Sequence, residues 1–202
     1  MQKLKDMKIK KRLNTGFKMV TGIATIAAVL GIIARLVASG RYEYAMTNYG
    51  FSQGDIGKAM VTFSETRSAL RAVVGYDEED MIEAQVSLHD QKKEAFETYL
   101  KDIESTMVFP QAKEAYNTLV TDLDGYWDID AEVLELATSS SDDGYLKAQE
   151  IDTGELSPQY DKIYQDLATL MDLNVQKGDA SKASLHNMEL IFMLSLIHIS
   201  EP

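Results

Sequence analysis

The sequence predicts an all-α protein: an N-terminal transmembrane helix followed by an antiparallel up-down-up-down four-helix bundle. Three observations predict it. Only three prolines occur in 202 residues, so long stretches carry no helix breaker. Apolar residues recur at three-four spacing through four long segments, the signature of amphipathic helices. One segment near the N-terminus is instead apolar on every side, which suits a helix surrounded by lipid.

That segment comes first. Met19 to Ala34 carries no charge, and a spanning helix needs about 20 mostly apolar residues. Residues 17–38 supply them if Lys18 and Arg35 reach toward opposite headgroup layers. A basic leader, residues 1–16, precedes it, with Lys3, Lys5, Lys8, Lys10, Lys11 and Arg12. Positive charge stays on the cytoplasmic side, so the leader is expected in the cytoplasm and residues 39–189 outside the cell membrane. A cleaved signal peptide is the competing reading, with Val37-Ala38-Ser39 as a tolerable cleavage site. The long leader and the position of Arg35 argue against it.

The charge distribution agrees with two environments. Residues 1–41 hold nine Lys/Arg and one Asp, a net +8, whereas residues 42–202 hold eleven Lys/Arg and 31 Asp/Glu, a net −20. A strongly acidic body repels nucleic acid, whose binding rests on phosphate charge. There is no cysteine, so there is neither a disulfide framework nor a thiolate metal site.

The first bundle helix is expected from about Tyr42 to Gly75, with Ala59, Phe63, Thr66, Leu70 and Val73 on one stripe. Gly50, Gly54 and Gly57 each cost roughly 1 kcal/mol of helix propensity and predict a distortion there. The second follows the acidic run Asp77 to Asp80, suited to a helix start. Its stripe is Ile82, Val86, His89, Phe96, Leu100, Ile103 and Met107, interrupted by Lys93, and it ends before Pro110. The third opens at about Pro110, with Ala112, Tyr116, Leu119, Leu123, Trp127, Ala131 and Leu134 facing inward. It fades in the serine-rich run 138–144. That connection, up to Leu156, is long for a bundle, and Tyr145 to Ile151 is expected to form a short extra helix. The fourth helix takes Ser157 as N-cap and Pro158 as first residue, with Tyr160, Ile163, Leu167, Leu170 and Asn174 inward.

A fourth helix that returns toward the bilayer implies a second span. Residues 190–202 are expected to begin it, and Leu194 to Pro202 (LSLIHISEP) resembles a translated sequencing adaptor rather than native sequence. Neither a nucleotide-cradling glycine loop, a zinc helix motif nor a nucleophile elbow occurs. The chain is therefore expected not to be an enzyme and to carry no cofactor and no metal. His89 has no partner histidine nearby, and the acidic run lacks EF-hand spacing.

The basic leader and anchor (KIKKRLNTGFKMVTGIATIAAVLGII), the opening of the first bundle helix (NYGFSQGDIGKAMVTFSETRSALRAVVGY) and the end of the last (LATLMDLNVQKGDASKASLHN) together resemble the four-helix-bundle sensing module of methyl-accepting chemotaxis proteins. The resemblance covers residues 5 to 193. It implies a chemoreceptor fragment acting in transmembrane signal transduction, paired as a homodimer. Its ligand is a small molecule or a periplasmic-type binding protein. Contact with a histidine kinase and a coupling protein would run only through a cytoplasmic part not present here. The same module also precedes histidine kinases and diguanylate cyclases, so an input to either is an alternative. A secreted helical interaction protein is another.

Arg67 and Arg71 are the foremost candidate ligand residues. They lie four apart on one side of the first bundle helix, and a guanidinium holds a carboxylate with two parallel hydrogen bonds. In the family resembled, arginines of this region bind an amino-acid carboxylate, although the arginine spacing of its best-known members is not reproduced here. Ordinary ion pairs with neighbouring Asp/Glu are the plainer role. Tyr160, Tyr164 and Gln165, at the same level of the fourth helix, are candidate lining residues. Trp127 is expected in the core, and Asn174 to fix helix register.

Overall fold

The computed structural model describes the backbone of residues 8–139 and 141–200, and side chains up to residue 194. The expectations about Lys3, Lys5, Ser140 and the side chains of tail residues 195–202 fall outside it. Among the described residues every regular element is helical. Helix α1 spans Ile9–Ala45 and α2 Ser52–Gly75, with a π-helical turn, Met46–Phe51, between them. Then come α3 (Glu79–Thr106), α4 (Pro110–Ala137), α5 (Asp142–Ile151), a second π-helical turn (Asp152–Leu156) and α6 (Ser157–Ser200). The chain forms two compact units, one of residues 1–44 and 180–202, the other of residues 45–179.

In the first unit, α1 buries none of its residues. Ile23, Ile26, Val29, Leu30, Ile32, Ile33 and Leu36 are all exposed. By length and composition the helix can cross a membrane, and a water-facing surface so apolar is rare in soluble monomers.

The second unit is the four-helix bundle of α2, α3, α4 and α6. Cross-helix contacts show that sequence neighbours run antiparallel. Between α2 and α3, Ser52 meets Thr106, Phe63 meets Phe96 and Glu65 meets Lys92. Numbers rise along one helix as they fall along the other. Between α3 and α4, His89 meets Asp130, Phe96 meets Trp127 and Leu100 meets Tyr116. Helix α6 closes the square, with Tyr160 on Ser64 of α2 and Lys162 on Asp122 of α4.

Phe63 sits at the centre. It is fully buried, stacked on Tyr160 at 5.1 Å and 9°, with Phe96 at 5.2 Å and Tyr126 at 5.0 Å. All four bundle helices thus meet on one ring. Burying each such side chain contributes about 1.5–3 kcal/mol.

Local chemistry sets the ends. Asp80 accepts the Met81 amide at 3.0 Å in the first turn of α3. Phe109 is extended, φ −121° and ψ 152°, ahead of Pro110, as a residue before proline prefers. Ser141 caps α5 by accepting the Gly144 amide at 2.9 Å. A Cβ on Gly144 would lie 2.8 Å from Ser141 Oγ and 3.0 Å from the Leu136 carbonyl, so a side chain here would press on both the cap and the end of α4.

Some expectations shift. The distortion near Gly50 is the first π-helical turn, which buries Tyr49 against Phe109. The extra helix begins at Asp142 rather than Tyr145, because Ser141 supplies a cap. The inward stripe of α4 runs through Leu123, Tyr126, Asp130 and Val133, whereas Ala131 is exposed and Trp127 half-buried. Trp127 still edges onto Phe63 and Phe96, both at 6.0 Å, with Lys93 Nζ 4.2 Å from its ring centre. The lysine that interrupts the α3 stripe therefore covers an aromatic face. Asn174 is buried, but its Nδ2 donates to the Leu170 carbonyl of its own helix.

Candidate ligand groove

Two helices place the candidate arginines. Arg67 and Arg71, one turn apart on α2, face the junction where the second π-helical turn becomes α6. Their surroundings differ. Arg67 is 3% exposed; the side chain of Arg71 is 59% exposed.

Arg67 is held by the chain itself. Its Nη1 donates to the Asp152 carboxylate, and its Nη2 to the Asp152 carbonyl at 3.0 Å and to Ser157 Oγ at 2.9 Å. The π-helical turn makes this possible, since it turns both the side chain and the carbonyl of buried Asp152 toward α2. An arginine this buried requires a charged, hydrogen-bonded partner. The plainer reading of Arg67, an ion pair within the fold, therefore describes the structure, and the partner lies 85 residues away.

Ser157 is not the N-cap of the last helix. The chain arrives already helical from the π-helical turn, with Ser157 at φ −60° and ψ −47°. Its hydroxyl is thereby released from capping and accepts from Arg67 and, at 3.2 Å, from Arg71. Arg71 Nε lies 3.9 Å from the other Asp152 oxygen, a peripheral contact that leaves most of this guanidinium facing solvent.

A groove of about 330 Å³ opens beside these residues, lined by Ser64, Arg67, Ser68, Arg71, Ser157, Tyr160 and Asp161. Tyr160 forms its floor, stacked on Phe63 and hydrogen-bonded to Ser64 at 2.9 Å. Three of the five candidates, Arg67, Arg71 and Tyr160, thus share one groove. Tyr164 lies one turn on, its ring 6.1 Å from that of Tyr160, and does not line it. Gln165 is exposed and does not line it either.

Sequence reasoning did not reach Asp152, Ser64, Ser68 or Asp161. Asp152 was the hardest to find, because an aspartate in a connection reads as a solvated turn residue. No cluster of three metal-ligating side chains occurs among the described residues. What the groove offers is hydroxyls, one accessible guanidinium and one carboxylate, chemistry for non-covalent recognition of a small polar molecule.

No curated protein and no solved structure matches the chain at a significant level. A family model described as a four helix bundle sensory module for signal transduction matches residues 6–188. With the long apolar helix, this points to a membrane-anchored sensing module. The chain belongs to that family of receptor input modules, the type found in chemoreceptors.

Proposed function

We propose that this chain is the ligand-sensing input part of a chemoreceptor, a methyl-accepting chemotaxis protein. The basic leader, residues 1–16, stands in the cytoplasm, residues 17–38 cross the cell membrane, and residues 39–189 form the extracytoplasmic domain. The apolar run from Leu190 begins a second span. The observation that carries the reading is the match of a sensory-module family across α1 and the bundle. The positive-inside rule supports the orientation.

The groove beside Arg71 is the proposed ligand site, and two copies of the bundle pair as a homodimer. Arg71 holds a carboxylate, while the Tyr160 face and the hydroxyls of Ser64 and Ser68 fix the rest of a small molecule. Arg67 acts one layer back, fixing Asp152 and Ser157 so that Arg71 has a set direction. Tyr164 and Gln165 contribute at most to the rim. Ligand binding shifts the balance between two arrangements of the dimer, and α6 carries the shift toward the membrane. The output runs through a coupling protein to a histidine kinase.

Two experiments test this. A panel of small carboxylates is titrated calorimetrically against the chain in lipid nanodiscs, with Arg71→Ala alongside. A hydrogen bond to a charged group is worth about 1.5–3 kcal/mol, so Arg71→Ala should weaken a bound carboxylate about 10–100-fold. An unchanged affinity overturns the site. Reading the gene past the codon for Met193 tests the output. A second span, a HAMP linker and a heptad-rich tail support the chemoreceptor, whereas a kinase or cyclase domain after the linker overturns it.

A further inference from the structure

A second set of ionisable groups lies between α3 and α4. His89 points into the core from α3, and Asp130 meets it from α4. Both side chains are 1% exposed, with His89 Nε2 3.0 Å from Asp130 Oδ2. On its other side, His89 Nδ1 lies 3.3 Å from Oδ1 of Asp90, a surface carboxylate that is 70% exposed. The Nδ1 contact is a hydrogen bond, whereas the Nε2 contact is a close approach of the two groups out of hydrogen-bond alignment; the two ring nitrogens thus face two carboxylates. A neutral imidazole can donate from one nitrogen only, while the imidazolium donates from both.

The other charges nearby are already engaged. From α4, Tyr126 is buried; among the described residues its hydroxyl has no hydrogen-bond partner, and it feels the charges of Asp130 and Arg67 and then those of Tyr160 and Asp152. From α2, Arg67 is bound to Asp152, and Glu65 to Lys92 of α3 at 2.8 Å. Lys93 lies over the Trp127 ring. Among the described residues, His89 is the counter-charge to Asp130. A fully buried carboxylate with one titratable partner depends on the proton of that partner.

The physical terms oppose one another. Burial works against the charged imidazole, but the Asp130 carboxylate 3.0 Å away, followed by that of Asp90, outweighs it and raises His89 above its ordinary value of 6.5. A raised histidine contributes an interaction that is complete below that ordinary value. It is lost as pH rises through the folded-state value. The response therefore lies on the alkaline side of 6.5.

We infer that His89 and Asp130 form a proton-operated clamp between α3 and α4, closed while His89 is charged and released as pH rises, which makes the bundle a pH sensor in its own right. Asp90 gives the proton a path from solvent to the buried ring. Release leaves the Asp130 carboxylate uncompensated in the core, and separation of α3 from α4 lets water reach it. The clamp is built from residues that do not line the groove, so it operates with or without a ligand there.

The test uses the chain in nanodiscs with His186→Gln and His198→Gln, which leaves His89 as the one histidine. Ring-labelled NMR follows its titration. Emission from Trp127, the sole tryptophan, which touches Phe96 of α3, follows the helix contact. His89 should titrate above 6.5, and the emission should change with the same midpoint. Asp130→Asn should lower the His89 midpoint and abolish the emission change. A His89 midpoint at or below 6.5 overturns the proposal. So does flat emission across its titration, and the unsubstituted Asp130 form alone decides both should Asp130→Asn fail to fold.

Discussion

Replacing Arg67 by methionine tests the link that places the groove. The substitution keeps the aliphatic stem and removes the guanidinium. Asp152 is 5% exposed, so its carboxylate would be left in the core, the Asp152 carbonyl would lose its Arg67 donor, and the Ser157 hydroxyl would keep only the 3.2 Å bond from Arg71. Removing one partner of a buried pair costs about 3–5 kcal/mol. Arg71 cannot compensate in place, since its Nε stands 3.9 Å from the outer carboxylate oxygen. Removing Arg71 takes away a mostly solvated side chain with one 3.2 Å hydrogen bond and one 3.9 Å contact, worth about 0–1 kcal/mol. At about 2–4 °C per kcal/mol for a chain of this size, Arg67→Met should lower the thermal midpoint by about 6–20 °C, and Arg71→Ala by no more than about 4 °C. Far-UV circular dichroism melts of the chain in nanodiscs measure both. The double variant Arg67→Met/Asp152→Asn should recover most of the loss, because it removes the stranded charge. The reasoning fails if Arg67→Met melts no lower than Arg71→Ala, or if the double variant is additive.

Three further outcomes follow from the packing. Phe63→Ala empties the point where all four bundle helices meet and should cost about 3–5 kcal/mol, read as a lower midpoint in urea denaturation. Lys93→Gln uncovers the Trp127 ring and should cost about 0.5–1 kcal/mol, together with a shift in tryptophan emission. Burial and the hydrogen bond and charge of neighbouring Asp122 raise Asp166 above the usual carboxylate value. An acid raised in the folded state is destabilising above its folded-state value, and the penalty disappears as pH falls through that value. Asp166→Asn should therefore stabilise the bundle at neutral pH and lose that advantage on acidification, measured as melting midpoints at a series of pH values.

The helices of this chain were legible because their signals are local. Proline placement, apolar spacing and the serine-rich break each act within a few residues, and they located every helix of the bundle and the extra helix before the last. The inner face of α4 was legible only in its first half. Ala112, Leu119 and Leu123 were found, but the inward path then steps to Tyr126, Asp130 and Val133. Continuing from Leu123 by steps of four leads to Trp127 and Ala131; a step of three and then one of four leads to Tyr126 and Asp130. Hydrophobicity favours the first path, since it avoids burying an aspartate. The second wins because Asp130 is matched by His89 on the facing helix, and no reading of α4 alone contains that partner.

The groove shows the same limit. Arg67 and Arg71 have identical sequence signals, two arginines a turn apart on one helix. What separates them is Asp152, brought over by a π-helical turn whose residues, Asp152–Leu156, carry no sequence mark of that geometry. The two arginines consequently take different tasks. The buried one fixes the connection between α5 and α6 to α2, and the exposed one is left to meet whatever enters. A ligand carboxylate at Arg71 would lie next to the Asp152 carboxylate, so like-charge repulsion would act against any anion that does not also take hydrogen bonds from Ser64, Ser68 or Tyr160. If the proposed site holds, Asp161, which lines the groove, and the paired Asp152 behind it would together set the charge an anion meets there. The proposed site would then discriminate by shape and hydroxyl pattern rather than by negative charge alone.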